Sequence, residues 1–199
     1  MSVCGCDAAL DERRERGTLW KLLAVNGLMF VLEVVIGLLA QSTAVLADSL
    51  DMLADAGVYG IALYAVGRSP RVKARAAQWS GALQLLLGAL VLLDIARRLL
   101  LGSEPVSLLM IGMGCVALLA NTYCLWLITE HRHGEVHMRA SWIFSKNDVL
   151  ANLGIIAGGL LVHWLDSPYP DLAIGTVIAL VVLRGGVRIL RDAATLQAR

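Results

Sequence analysis

The chain has 199 residues, of which 58% are hydrophobic and 17% charged, and its mean hydropathy is +0.70. A soluble domain of that size needs more polar surface to cover itself, so the composition excludes an ordinary water-soluble globule and places the chain among membrane proteins. A net charge of +1 excludes a general nucleic-acid binder, and the informative quantity becomes where the charges sit.

In chain order, residues 1–18 read as a polar cytoplasmic tail. MSVCGCDAALDERRERG is charged where a signal peptide would be apolar. Cys4 and Cys6 lie in this tail, where thiols stay reduced. Two thiolates two residues apart can pass on a soft ion, and incidental cysteines in a disordered tail are the equal alternative. With Cys115 and Cys124 inside an apolar run, the four cysteines form no secreted disulfide framework.

Six apolar windows follow, each about 20–25 residues long and able to span a bilayer. They are Leu19–Ala40, Thr43–Gly67, Trp79–Leu101, Val106–Ile128, Ser141–Leu165 and Pro170–Leu190. The predicted fold is therefore all-α: a six-helix transmembrane domain over 19–190, with a short cytoplasmic tail over 191–199. Fifteen of the seventeen Lys and Arg residues fall at one end of these spans, and only Arg97 and Arg98 at the other. That bias puts both termini in the cytoplasm.

The polar residues inside the spans carry the chemistry. The first helix holds Asn26 and Glu33. In the second, Asp48, Asp51 and Asp55 fall within about 60° of one another, a single narrow stripe. An ionised carboxylate facing lipid costs about 2.5–3.5 kcal/mol on the milder insertion scale, so the stripe must face the bundle interior. Asp94 in the third helix is one turn from Arg97 and Arg98 and reads as an ion pair near the outer interface. Asn26 and Asn121 read as interhelical hydrogen-bonding residues, and Cys115 and Cys124 as small hydrophobes of the fourth helix. His131, His133 and His137 lie on a solvated connection. In the fifth helix Asp148 has Asn152 on the same face, while Lys146 points about 160° away and snorkels. Acids from two helices can surround a divalent ion with oxygen ligands, and Asn152 can add a carbonyl. Asp51, Asp55 and Asp148 are the candidate metal ligands, with Asn152 and Asp48 as further candidates.

With these boundaries, Asp148 lies about 10 Å from the cytoplasmic end of its helix and Asp55 about 18 Å from the end of its own. Tilt or different helix ends would have to bring them level.

LADSLDMLAD, NDVLANLGIIAGGLLV and VLLDIARRLLLGSEPVS, together with Asn26, Glu33 and Asn121, resemble the cation diffusion facilitator family of six-helix exporters that exchange cytoplasmic divalent metal for protons. The resemblance places Asp51, Asp55 and Asp148 on the family's metal-ligand positions. Where the family usually has His or Asp one turn before the fifth-helix acid, this chain has Phe144, which cannot ligate; Asn152 on the correct face, Asn147 offset by about 100°, or water is left for the fourth position. The soluble domain that many members carry after the sixth helix is not expected here, since about nine residues follow Leu190. A homodimer then lacks that domain's support.

The resemblance implies a secondary transporter in the cell (inner) membrane, with divalent metal, protons and the lipid bilayer as its partners and no nucleic acid. No resident cofactor is expected. Zinc is the first cargo by resemblance, while an all-oxygen site keeps manganese, iron(II) and cobalt in play. Two rivals stand beside it. One is a non-transporting membrane partner with a degenerate site. The other is a metal-dependent phosphatidyl-transferase of the CDP-alcohol type, whose pattern needs Gly where Met52 follows Asp51.

Overall fold

The computed structural model describes the backbone of residues 5–65, 70–129 and 136–197, and the side chains within them except at 5–15, 62, 65, 70–74, 76, 136–145 and 195–197. The described residues form six helices and no strand: α1 (Gly5–Leu39), α2 (Thr43–Ala65), α3 (Pro70–Leu101), α4 (Ser107–Thr129), α5 (Val136–Leu165) and α6 (Tyr169–Gln197). Cys4, His131, His133 and the side chains of Cys6, His137 and Phe144 fall outside the described residues. Compared with the apolar windows, α1, α3, α5 and α6 run several residues further at the ends rich in Lys and Arg. Helical hydrogen bonding continues there into polar sequence that hydropathy alone does not mark.

Five of the helices are long and apolar enough to cross a membrane. The remaining one, α2, is 23 residues long and carries Asp48, Asp51 and Asp55. At 1.5 Å per residue it reaches about 34 Å, which also suffices for the hydrocarbon core. The outer surface of the bundle is apolar: Leu100 and Trp164 are 85% and 83% exposed, an arrangement that only lipid tolerates over so wide an area. Trp20, Trp79 and Trp126 ring one end, and Trp164 and Tyr169 the other, at the depths where amphipathic rings settle at membrane interfaces. The chain is an all-helical polytopic membrane protein.

The helix with the most acid lies at the centre. Helix α2 packs against all five others, while α3 pairs with α6, α1 with α2, and α4 with α5. A core of Met29, Leu50, Met52, Met110, Met113, Ile155 and Val182 surrounds its first half. Leu19, Leu22, Tyr59, Cys124 and Ile128 close the other end of the α1–α2–α4 group.

The start of α2 is tied to α6. Asp171, fully buried in the first turn of α6, accepts from Ser42 Oγ (2.5 Å), Thr43 N–H (2.8 Å), Thr43 Oγ1 (3.0 Å) and Ala44 N–H (3.1 Å). It thus caps a helix that is not its own, satisfying amides that would otherwise be left without partners inside the membrane. Gly175, one turn along α6, makes this approach feasible. A Cβ there would stand 2.7 Å from Thr43 Oγ1 and 2.8 Å from Thr43 backbone carbon. Two further ties close the same end. Arg98, held by Asp94 (2.6 Å), donates to the Gln41 carbonyl, and Val106 N–H donates to the Ala40 carbonyl (2.8 Å). Arg97 also pairs with Asp94 (2.7 Å), as the spacing predicts.

Asp171→Ala removes the cap and strands several buried donors, so it should cost about 2–4 kcal/mol. Gly175→Ala should be comparably damaging because its added carbon meets the Thr43 and Ala44 backbone as well as the Thr43 hydroxyl, and the backbone cannot swing aside. Thermal unfolding in detergent should show both variants melting well below the parent protein, and an unchanged Tm for either would contradict the tie between α2 and α6.

Candidate metal centre

The helix ends resolve the depth mismatch. Because α5 begins at Val136, Asp148 lies about 18 Å from that end, and because α2 ends at Ala65, Asp51 and Asp55 lie about 21 and 15 Å from theirs. Asp148 therefore stands at a level between the two α2 aspartates. The structure brings two of the three together: the carboxyls of Asp51 and Asp148 hydrogen-bond to each other across the α2–α5 contact. Two carboxyls can do this only with a proton, or a cation in its place, between them.

Asp55, one turn further along α2, interacts electrostatically with both members of that pair, and its carboxylate accepts from Tyr59 Oη at 3.5 Å. Among the described residues, no three His, Cys, Asp or Glu side chains are already drawn tightly enough to enclose an ion. The arrangement is a carboxyl pair with a third acid beside it.

Exposure changes along the stripe. Glu33 and Asp48 are 0% and 1% exposed, whereas Asp51 and Asp55 are partly open. The Asp171, Arg98 and Val106 ties close the end of α2 at Thr43.

Beneath the pair lies a polar layer. Asn121 Nδ2 on α4 donates to Asn152 Oδ1 on α5 (2.8 Å), and Asn152 Nδ2 donates to Asp48 Oδ2 on α2 (2.7 Å). Three helices are thereby fixed in register. Asn121 is the interhelical bonding residue that the sequence suggests. Asn152 and Asp48 are bonded to each other in this layer, and the Asn152 carbonyl is engaged by Asn121. Asn26 serves mainly its own helix, donating to the Leu22 carbonyl (2.9 Å), with a long contact to Cys124 Sγ (3.8 Å). Cys124 is buried as expected, and it feels the charges of Asp55 and Asp148, so it forms part of the pocket's wall. Cys115 is exposed on the bilayer face.

Sequence reasoning marked Glu33 only as polar. Both of its carboxylate oxygens, and Oδ1 of Asp48, are buried without a hydrogen-bond partner, and Glu33 interacts electrostatically with Asp48 and Asp51. Asp171 was not singled out at all. Its available signal is an acid in the first turn of an apolar helix, a position that favours capping.

The chain is similar in sequence to several known metal transporters. The zinc transporter ZitB of Escherichia coli strain K12 is 27% identical over 198 residues, covering 92% of this chain and 62% of that protein. The metal cation efflux system protein CzcD of Cupriavidus metallidurans is 25% identical over 173 residues, covering 81% of this chain and 55% of that protein. The cadmium, cobalt and zinc/H(+)-K(+) antiporter of Bacillus velezensis is 22% identical over 184 residues, covering 85% of this chain and 58% of that protein. The chain thus spans somewhat over half the length of the relatives it matches. Residues 19–196 match the cation efflux transmembrane domain, and the chain belongs to that cation efflux family.

Proposed function

We propose that the protein exports a divalent transition-metal ion across the membrane in exchange for protons, with Asp51, Asp55 and Asp148 as the carboxylates that take metal and proton in turn. The observation that carries this reading is the Asp51–Asp148 hydrogen bond between two helices, in a pocket that also holds Asp55. A proton between two carboxyls and a divalent ion between the same oxygens are alternative occupants, and binding either displaces the other. That exclusion is the physical requirement of antiport.

Zinc is the first cargo proposed, in line with the names of the relatives. The oxygen donors also suit manganese, iron(II) and cobalt. Loading needs Asp55 to close on the Asp51–Asp148 pair, with water completing the shell where Phe144 stands in place of a ligand. Asn152 and Asp48 hold Asp148 and Asp51 in register from below rather than binding metal first. Both termini are assigned to the cytoplasm from the basic residues at that end. In that orientation the ties at Asp171, Arg98 and Val106 lie at the outer end, and loading is assigned to the cytoplasmic end. Release requires the ties at Asp171, Arg98 and Val106 to part while the opposite end closes, an alternation around a fixed site.

Reconstituted in proteoliposomes with an opposing pH gradient, the parent protein should move zinc, and Asp55→Ala should reduce the flux to that of empty vesicles. A chain acting only as an assembly partner would show no flux with all three aspartates intact, and a phosphatidyl-transferase would show headgroup transfer instead.

Metal binding to the purified protein should tighten as pH rises, by about a decade in Kd per pH unit for each proton displaced. A Kd that does not change with pH would refute the competition. Asn152→Ala should weaken binding by about 10–100-fold while leaving the three acids in place, as loss of an orienting partner does; isothermal titration with zinc reads this directly.

A further inference from the structure

The second half of α6, beyond the region tied to α2, carries charges that the transport reading does not use. Arg184, Arg188 and Arg191 are all exposed, and at about 100° per residue they fall within about 60° of one another, with Leu180 on the same stripe. They border a cavity of about 490 Å³ whose apolar side is formed by Leu180, Leu183 and Val187, with Asp192 as the acid at its edge. Three guanidinium groups beside one carboxylate leave a local surplus of positive charge.

The depth of the stripe is informative. Measured from Asp171 along the helix axis, Arg184 lies about 20 Å away and Arg191 about 30 Å, close to the thickness of a hydrocarbon core. The stripe therefore rises from about 10 Å inside the hydrocarbon core at Arg184 to its edge at Arg191. Its apolar floor lies at acyl-chain depth, and its exposed guanidinium groups snorkel along it toward the level of a phosphate. Arginine presents planar paired donors to phosphate, and a basic pocket at this depth is suited to an anionic headgroup. A second copy of the chain fits less well, because a two-fold contact through this face would set three arginines against three.

We propose that this face of α6 is a binding site for an anionic phospholipid, its phosphate held by Arg184, Arg188 and Arg191 and an acyl chain laid along Leu180, Leu183 and Val187. The site is separate from the aspartate pocket and does not depend on what that pocket carries.

The test is native mass spectrometry of the full chain, released from detergent micelles doped with phosphatidylglycerol or phosphatidylcholine. The parent protein should retain phosphatidylglycerol at least about tenfold better than phosphatidylcholine, and the preference should shrink as salt is raised from low to high ionic strength before release. The variant carrying Arg184→Gln, Arg188→Gln and Arg191→Gln should lose the preference to within about twofold. Should the triple variant not fold, Arg188→Gln alone, checked by its melting temperature, should lower the preference measurably.

Equal retention of the two lipids by the parent protein, or an undiminished preference in a folded variant, would overturn the assignment. Efficient disulfide cross-linking of a Leu180→Cys variant into a dimer would overturn it in favour of a second copy.

Discussion

Five carboxyl groups, those of Glu33, Asp48, Asp51, Asp55 and Asp148, occupy the interior of a bundle whose outer surface is made for lipid. Charges of one sign gathered in a low-dielectric interior repel strongly and have lost their water, so the group needs positive charge among its members, as protons or as metal. Much else in the structure follows from that need. Asp48, Asp51 and Asp55 share one face of α2 because each must be turned from lipid toward the bundle interior. That helix sits at the centre, packed against all five others, because its acidic face must be kept from lipid. The other five helices supply the packing that keeps it there.

A central helix with such a face must also be held in register, since a rotation of one residue would turn the stripe by about 100°. Two devices on different helices do this. At one end, Asp171 caps the first amides of α2 from α6, and Gly175 lets the two backbones approach. Midway along, Asn121 and Asn152 carry a hydrogen-bond chain from α4 through α5 to Asp48. The cap seals the end it occupies, while the bonds of the polar layer leave Asp51, Asp55 and Asp148 to one another. The polar layer braces the bundle by side-chain bonds between helices, while Asp51 and Asp148 bond to each other above it.

The helices and their number were legible in the sequence because lipid imposes length and apolarity on each span separately, a local constraint. The acid stripe on α2 was legible for the same reason, as helical periodicity is a property of one segment. The Asp94 pairing with Arg97 and Arg98 likewise lies within one helix. Two features were less legible. The polar ends of α1, α3, α5 and α6 extend past the apolar windows, so the level of Asp148 follows from the start of α5 and not from hydropathy. The place of Glu33 beside Asp48 depends on how α1 turns against α2, which no pattern within either helix encodes.

By itself, then, the sequence determined a membrane chain of apolar helices, an acidic face on the second of them, and a further acid with its asparagine neighbour on the fifth. Each follows from the periodicity and solvation of a single segment. Only the tertiary structure decided that Asp51 meets Asp148, that Asn152 is bound to Asp48 and Asn121, and that Asp171 caps a helix more than a hundred residues away. These contacts arise from the rotation and approach of whole helices, which are set by the joint packing of all six and belong to no one stretch of chain.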